Sequence, residues 1–579
     1  MTRPLRCSLC AIALALPSLA SADEGARGAR GQHTQFDWAG FYLGAHLGGL
    51  ANLNDISDPL GRSLFGNPNR ETGGFAGVQL GYNVQSGTLV YGLEADISIP
   101  ESEGTSTCSA LSGSFVNSNC RSRIDAFGTL AARIGLALGE DGRALIYGKG
   151  GAAWYAGSLD MATNDYTMGR AGNPFTTHSD DVSHWGWTIG AGAEYALAGN
   201  WSLKAEYNYA DFGSQSVRLL PSAVLDDAGT PVEAIGARQG HVSNDLHAFK
   251  LGVNYRFGQS APLQDDLTPS RISAPALQGI TFELGARYWY SWGRHKYDLG
   301  LLKTKPAPSH SLVSRLTYDD LTASTGELTG RITAPSNLFA KGFIGGGSIT
   351  NGHMTDEDFV IPGDTVASIP YSNTLSPKVK GDVPVYGTID LGYDWWRGAS
   401  HRLGTYVGYN HYRETMEAYG VIQMANPLGP LGPSVGGPLA PTGHAIITQE
   451  ATWQSVRLGV AGEFRLTPRF MLSVDAAFLP YVSVDAKDRH FFGSTADVAS
   501  INPLQGDGVG TQLEAMLSYD LTAQLSLGIG ARYWAMWTRD GSMVRSFDAS
   551  SGLSTPTPPQ HLRLETERAG IFGQALYKF

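Results

Sequence analysis

The sequence predicts an all-β protein of two tandem transmembrane antiparallel β-barrels, the first of eight strands and the second of ten. Three observations point there. Apolar and polar residues alternate over many segments. In "WSLKAEYNY", for example, Trp201, Leu203, Ala205, Tyr207 and Tyr209 share one face while Lys204, Glu206 and Asn208 share the other, the period of an extended strand with unlike surroundings on its two sides. Long loops alternate with very short turns, and aromatic residues gather at strand ends, as in outer-membrane barrels. The chain also opens with an export signal: Arg3 and Arg6 precede a short apolar run that ends at Ala20-Ser21-Ala22, so residues 1–22 read as a secretory signal peptide. A soluble sandwich would share the period of two; export and the loop alternation favour the membrane.

Composition narrows the function. The net charge of −11 argues against nucleic acid as a partner. With no run of about twenty apolar residues, a transmembrane helix is excluded. Cys7 and Cys10 fall within the signal peptide and leave Cys108 and Cys120, close together in a polar segment. In an exported protein such a pair reads as a disulfide rather than a metal site, since no other cysteine or clustered histidine joins it. No metal and no cofactor is expected.

The first barrel occupies residues 36–258, with strands near 40–50, 73–85, 89–98, 124–138, 143–157, 184–197, 201–212 and 245–257. Long loops at 51–72, 99–123, 158–183 and 213–244 alternate with short turns around Gln85, Glu140-Asp141 and Gly199-Asn200. The even strand number returns the chain to the periplasm, and the Pro/Ser/Asp-rich segment 259–278 reads as a periplasmic linker. The stretches "WAGFYLGAHLGG", "GGFAGVQLGYN", "GLEADI", "WSLKAEYNYADFG" and "GVNYRF" resemble the eight-stranded, porin-family surface antigens of alphaproteobacteria. That resemblance implies a narrow barrel filled by its own side chains, with Lys204 and Glu206 in an internal polar network rather than a transport path.

The second barrel spans residues 279–579, opening at "ITFELGARYWYSW" and running to Phe579, with short turns at Ala334 to Asn337, Arg397 to Ser400, Leu466 to Arg469 and Thr522 to Gln524. A terminal aromatic of this kind is what bacterial barrels commonly use for assembly. Two acidic motifs stand out. In "NGHMTDEDF", Asp356 and Asp358 share one face of an extended chain and Glu357 the other, in what reads as the outward loop between the third and fourth strands. In "YVSVDAKDRHFF", just past the seventh strand, Asp488 and His490 are again i and i+2. An aspartate beside a histidine fixes the imidazole tautomer and raises its basicity, so that it can take a proton from water. Either pair alone is ordinary; both at outward strand ends of one ten-stranded barrel are not.

That combination resembles the omptins, outer-membrane endopeptidases built as ten-stranded barrels with an Asp-x-Asp and an Asp-x-His pair across a surface groove. "SRLTYDDLTASTGELTGRI", "GTIDLGYDWW" and "HRLGTYVGYNHYRE" carry the resemblance beyond the pairs. It implies that His490, oriented by Asp488, is the general base on a water, that Asp356 and Asp358 hold that water and the scissile carbonyl, and that no acyl-enzyme forms. It also implies a need for lipopolysaccharide, held partly by a Tyr-x-Glu-x-Arg motif. Here Tyr409 and Arg413 remain while His411 replaces the glutamate. Acidic groups that would seat a basic substrate side chain are missing at Ala486 and around Gly293-Arg294, which puts a preference for Arg or Lys in doubt.

The expectation is therefore a cell-surface endopeptidase of a Gram-negative outer membrane, with lipid, lipopolysaccharide and peptide or protein substrates as partners. The alternative is a structural or adhesive surface protein that kept the shape and lost the chemistry. One difficulty is register. Phe470, Leu472, Val474, Ala476, Phe478, Val482 and Val484 form the apolar face of the seventh strand, and strict alternation would carry Asp488 and His490 onto that same outer face. A bulge or loop after Asp485 is needed to reverse it. Other motifs fail: "GPSVG" at 432–436 matches a nucleophile elbow but sits in a Pro/Gly loop, the glycine-rich pieces lack the Lys-Ser/Thr of a phosphate loop, and Asp356 and Asp358 lack the further ligands of a calcium loop.

Overall fold

The structure is a computed structural model, which describes residues 36–58, 61–62, 69–110, 117–139, 141–163, 166–167, 176–197, 199–219, 221–225, 231–258, 279–300, 312–359, 371–398, 401–425, 438–491, 498–543, 547–548 and 560–579. The expected signal peptide (1–22), the linker (259–278) and the "GPSVG" loop (432–436) lie outside them. In lipid every backbone donor and acceptor must be met within the protein, so alternating segments close into cylinders. In the first, β1 (Gly40–Asp58), β2 (Asn69–Ser86), β3 (Leu89–Ala110), β4 (Asn117–Leu138), β5 (Ala144–Thr163), β6 (Thr176–Ala196), β7 (Trp201–Leu219) and β8 (Arg238–Arg256) pair antiparallel in order. The ring closes where β1 pairs β8, from Tyr42 opposite Arg256 to Ser57 opposite His241.

The second cylinder comprises β9 (Thr281–Gly300), β10 (Leu312–Thr333), β11 (Leu338–Phe359), β12 (Lys378–Arg397), β13 (His401–Ala425), β14 (Pro438–Arg465), β15 (Phe470–Phe491), β16 (Val498–Asp520), β17 (Leu525–Met543) and β18 (Gln560–Lys578). It closes through β9 and β18. A short strand, Tyr371–Ser376, continues β12 outward between β11 and β13. The eight-plus-ten architecture is as the sequence predicts.

Three details differ. The strands are much longer than predicted: most of the expected outer loops at 51–72, 99–123, 158–183 and 213–244 is strand. An apolar outer face marks only the stretch that faces lipid, whereas the hydrogen-bond ladder continues past it, with apolar residues such as Met161, Val217, Leu316 and Met354 turned inward. Cys108 and Cys120 accordingly sit on β3 and β4 rather than in a loop, and Asp356, Asp358, Asp488 and His490 sit on β11 and β15 rather than beyond strand ends. The first short turn falls at Gly87-Thr88, and Gln85 stays in β2, where its Oε1 accepts from the Trp38 amide at 2.5 Å. Among the other turns, Asn337 takes the left-handed conformation (φ 67°), which asparagine tolerates better than most residues.

The first barrel's interior is an ion network. Lys204 Nζ reaches Glu94 at 2.9 Å, Lys149 reaches Glu94 and Glu206 at 3.0 and 2.9 Å, Lys250 reaches Asp96 at 2.7 Å, and Arg133 and Arg256 both reach Glu194 at 2.8 Å. Glu94, Asp96 and Glu206 bring ligand oxygens within 4.8 Å of one another, but lysine ammonium groups occupy that place. A barrel this narrow is filled by its own side chains. Above the network lies an apolar plug that includes Phe75, Phe127, Tyr155, Phe212 and the two cysteines.

On the second barrel, exposed Phe282, Leu284, Tyr288, Tyr290 and Trp292 mark the lipid-facing reach of β9, which then runs on to Gly300. Its length matches a tilted strand crossing a bilayer. The two barrels pack laterally: Tyr195, Leu203 and Leu251 of the first meet Leu403, Phe464, Val474, Ala476 and Leu513 of the second, and the rings of Tyr195 and Phe464 are 4.9 Å apart. This contact is why Val474 and Ala476, on an outer face, are buried.

Candidate active site

The cluster of candidate residues at the outer end of the second barrel depends on two reversals of strand parity. On β15, Ala477 and Leu479 point into the core; past Pro480-Tyr481 the inward residues are Val482, Val484 and Ala486. The register against β16 shifts between Leu479 and Val482, and that against β14 shifts between Val456 and Leu458. The bulge needed for an inward Asp488 is therefore present, but five residues earlier than predicted, and Val482 and Val484 are core rather than lipid-facing. Proline cannot donate to a ladder, so an irregularity is its natural place within a sheet.

β11 does the same. Phe339 and Ile349 are inward below, Met354 is inward above, and between them the register against β10 shifts twice around Thr322, with Asp320 at φ 53° and Gly352 at φ 153°. Odd residues face the core below each irregularity and even residues above it. Hence Asp356 and Asp358 on one strand and Asp488 and His490 on the other turn toward the lumen, while Glu357 turns outward. Bulges of this kind re-aim side chains beside functional sites.

Asp488 is fully buried, and its Oδ2 accepts from His490 Nε2 at 2.7 Å, Tyr297 Oη at 2.9 Å and Asn502 Nδ2 at 3.2 Å. Burial would raise its carboxyl; the His490 imidazolium and these donors outweigh burial and hold it below the usual carboxylate range. Burial likewise would depress His490, but the Asp488 charge and hydrogen bond, with Asp356 and Asp358 adding, push it up to about 9. Asp356 goes the other way: loss of water and the neighbouring Asp358 charge hold its carboxyl well above the ordinary range, against the pull of His490. Asp358, more open to solvent, moves up in the same direction, chiefly through lost hydration. The four groups thus share one electrostatic field, with protons distributed between an imidazole and a carboxyl.

Two buried tyrosines that sequence reasoning missed lie in the same field. Tyr297 and Tyr318 are both raised well above the ordinary phenol range by burial and by the charges of Asp488 and Asp356. The Tyr318 hydroxyl, Asp356 Oδ1 and Asp488 Oδ1 are buried with no protein hydrogen-bond partner among the described residues. Unpartnered buried polar atoms in one cluster call for a functional explanation, such as a polar guest held between them. Beside them, the His295 ring meets those of Tyr318 (6.2 Å) and Trp453 (6.5 Å), and its Nδ1 lies 2.9 Å from Glu414, which also accepts from Tyr412 and Thr566. The only sequence signal for these residues was inward parity at a strand's outer end, which many structural residues share.

The remaining predicted positions lie elsewhere. Cys108 and Cys120 are disulfide-bonded on the first barrel with Cα atoms 5.6 Å apart. Tyr409 and Arg413 are on the outer wall of β13; Arg413 lies 3.6 Å from Glu450, which also binds Arg489 at 2.5 Å. Ala486 belongs to the apolar core, and Arg294 faces Glu565 at 3.6 Å.

Residues 8–257 match the family model described as outer membrane protein beta-barrel domain. The 31 kDa outer-membrane immunogenic protein of Brucella melitensis biotype 1 is 30% identical over 231 residues, covering 38% of this chain and 85% of that protein. The 22 kDa outer membrane protein of Rhizobium leguminosarum bv. viciae is 30% identical over 221 residues, covering 38% and 78%. Among solved structures, the outer membrane protease OmpT of Escherichia coli aligns over 52% of this chain and 97% of its own, at 14% identity and a TM-score of 0.41. Ail, the attachment invasion locus protein of Yersinia pestis, aligns over 38% and 100%, at 15% identity and a TM-score of 0.18.

Proposed function

The chain belongs, through its first barrel, to the outer membrane protein β-barrel family, a Gram-negative outer-membrane group that includes surface antigens, and we propose that its second barrel is an omptin-like endopeptidase working at the cell surface. The observation that supports this most is the 2.7 Å bond from His490 to a buried Asp488, with the Asp356 and Asp358 charges acting on the same imidazole.

In this reading, neutral His490 takes a proton from a water as the water oxygen attacks the scissile carbonyl carbon. The imidazolium, stabilised by Asp488, then returns that proton to the leaving nitrogen as the C–N bond breaks. Asp356 and Asp358 orient the water and the carbonyl through their charge. No covalent intermediate forms. Because Ala486 is apolar and Arg294 lies beside Glu565, cleavage is not directed to basic side chains at those positions. Lipopolysaccharide is expected on the outer wall at Tyr409, Arg413 and Arg489, where Glu450 from the adjoining strand supplies the carboxylate missing at residue 411.

The test is purified protein refolded with lipopolysaccharide and incubated with an unbiased peptide library. Cleavage by the wild type that disappears in His490→Ala supports the reading. An inactive wild type, or a variant as active as the wild type, leaves a double-barrelled surface protein.

A further inference from the structure

The outer end of β3 lies across the rim of the second barrel. Its odd-numbered residues, which share one face, each meet that barrel in turn. Glu101 binds Arg539; Glu103 binds Arg563 at 2.6 Å; Thr105 binds Asp298 and accepts Lys296 on its carbonyl at 2.7 Å; and Thr107 Oγ1 donates to Glu357 Oε1 at 2.6 Å. The partners come from β17, β18, β9 and β11, so the line of contacts runs around the rim and ends at the residue between Asp356 and Asp358. Its end is also the most buried part: Glu101 is exposed, whereas Thr107 and Glu357 are 2% and 3% exposed.

Arg315 of β10 completes the clasp. Its Nη1 donates to Thr107 at 3.0 Å and to Asn119 on β4 at 3.2 Å and lies 3.5 Å from Glu357, while its Nε donates to Asp298 at 2.8 Å. Even-numbered Cys108 turns the other way, into the first barrel's plug, where it is bonded to Cys120, the residue after Asn119. Both strands that reach Glu357 and Arg315 are therefore tied together directly behind the contact. A buried carboxylate is stable only where partners meet it. Glu357 has those partners because the first barrel brings one of them.

We propose that the outer ends of β3 and β4, through Thr107 and Asn119, position the Asp356–Asp358 pair by clasping Glu357 and Arg315 from outside the second barrel, so that the first barrel is part of the protease's working structure. This rests on the reading of Asp356, Asp358, Asp488 and His490 as an active site. Successive residues of a strand point to opposite faces, so fixing the Glu357 side chain outside fixes the direction in which both aspartates point inside. Thr107 and Glu357 are positioning residues and touch no substrate.

The experiment uses the full chain refolded with lipopolysaccharide, with heat-modifiable gel migration as the check that each variant has folded. Thr107→Val keeps the shape and removes the hydroxyl. It should lower kcat by about tenfold or more with KM within about twofold, because a small misplacement of a catalytic group costs rate rather than binding. An NMR titration of the labelled His490 ring, assigned by its loss in His490→Gln, supplies a readout independent of turnover. The charges facing that ring are Asp488, Asp356 and Asp358, so in Thr107→Val its midpoint should fall by half a unit or more. Glu357→Gln should behave alike, while Arg539→Gln, at the far end of the contact line, should change neither. Should the wild type cleave nothing, the protease reading fails, and the titration alone decides the clasp. A wild-type midpoint in both folded Thr107→Val and folded Glu357→Gln overturns the proposal.

Discussion

The two barrels answer one physical demand, a closed ladder in lipid, with opposite interiors. In the first, carboxylates at membrane depth are matched by Lys149, Lys204, Lys250, Arg133 and Arg256, and the outer end is sealed by an apolar plug with a disulfide in it. In the second, ion pairs such as Arg331–Asp394 (2.7 Å) and Arg457–Asp390 (2.6 Å) line the lower lumen, an aromatic layer around Trp289, Tyr386 and Trp534 lies above them, and the outer end holds carboxylates with unpartnered oxygens. Among the described residues, the first barrel's outer end also keeps an unpartnered Glu71 Oε2; what separates the second is that its unpartnered carboxylate oxygens, on Asp356 and Asp488, belong to groups that act together on one imidazole, that of His490.

That contrast breaks most completely at His490. His490→Ala should lower peptide cleavage by about 10²- to 10⁴-fold, the range of general acid–base catalysis, with unchanged heat-modifiable migration. Deleting Pro480 should do nearly as much from a distance. It removes the extra residue that reverses parity, turns Asp488 and His490 toward the outer wall and brings Lys487 and Arg489 inward. Retained activity in a folded deletion variant would contradict the role given to the bulge. Asp356→Asn and Asp358→Asn should each cost about 10²- to 10³-fold, since the amide keeps the shape but loses the charge that orients water. Each should also lower the His490 titration midpoint, because both charges raise it. The smallest effect on cleavage should come from Lys204→Met in the first barrel. Removing one partner of a buried ion pair costs about 3–5 kcal/mol of stability, visible as a lower temperature of heat modification, while the rate per folded molecule stays that of the wild type.

The sequence revealed what depends on the lipid-facing surface. Alternation in "WSLKAEYNY" and turns such as Ala334 to Asn337 gave strand number and connection lengths, because the bilayer imposes the first and tight turn chemistry the second locally. The upper halves of the strands were read as loops because no lipid there enforces an apolar face. The residues of both aspartate pairs could be singled out by type and spacing, yet the direction they face could not. Val482 and Val484 continue the apolar pattern of Phe478 in sequence but sit on the opposite face, since Pro480-Tyr481 shifts the register between them. Tyr297, Tyr318 and Thr107 could not be singled out: their roles come from non-local pairing, and for Thr107 from contact with another barrel.

Protonation supplies the most direct test. The His490 pKa is raised to about 9 against a reference of about 6.5. The charged pair with Asp488 therefore stabilises the fold fully below about 6.5 and loses that contribution as pH rises through about 9, whereas the base becomes available over the same upper interval. Activity and the stability of the groove should consequently run in opposite directions on the alkaline side. The decisive measurement is kcat/KM against pH for the refolded wild type on a peptide it cleaves. A rise with a midpoint near 9, absent from the residual rate of His490→Gln, is the expected result; a rate already on its plateau at pH 6, or one that falls as pH passes through 9 while the protein stays folded, would contradict His490 as the base.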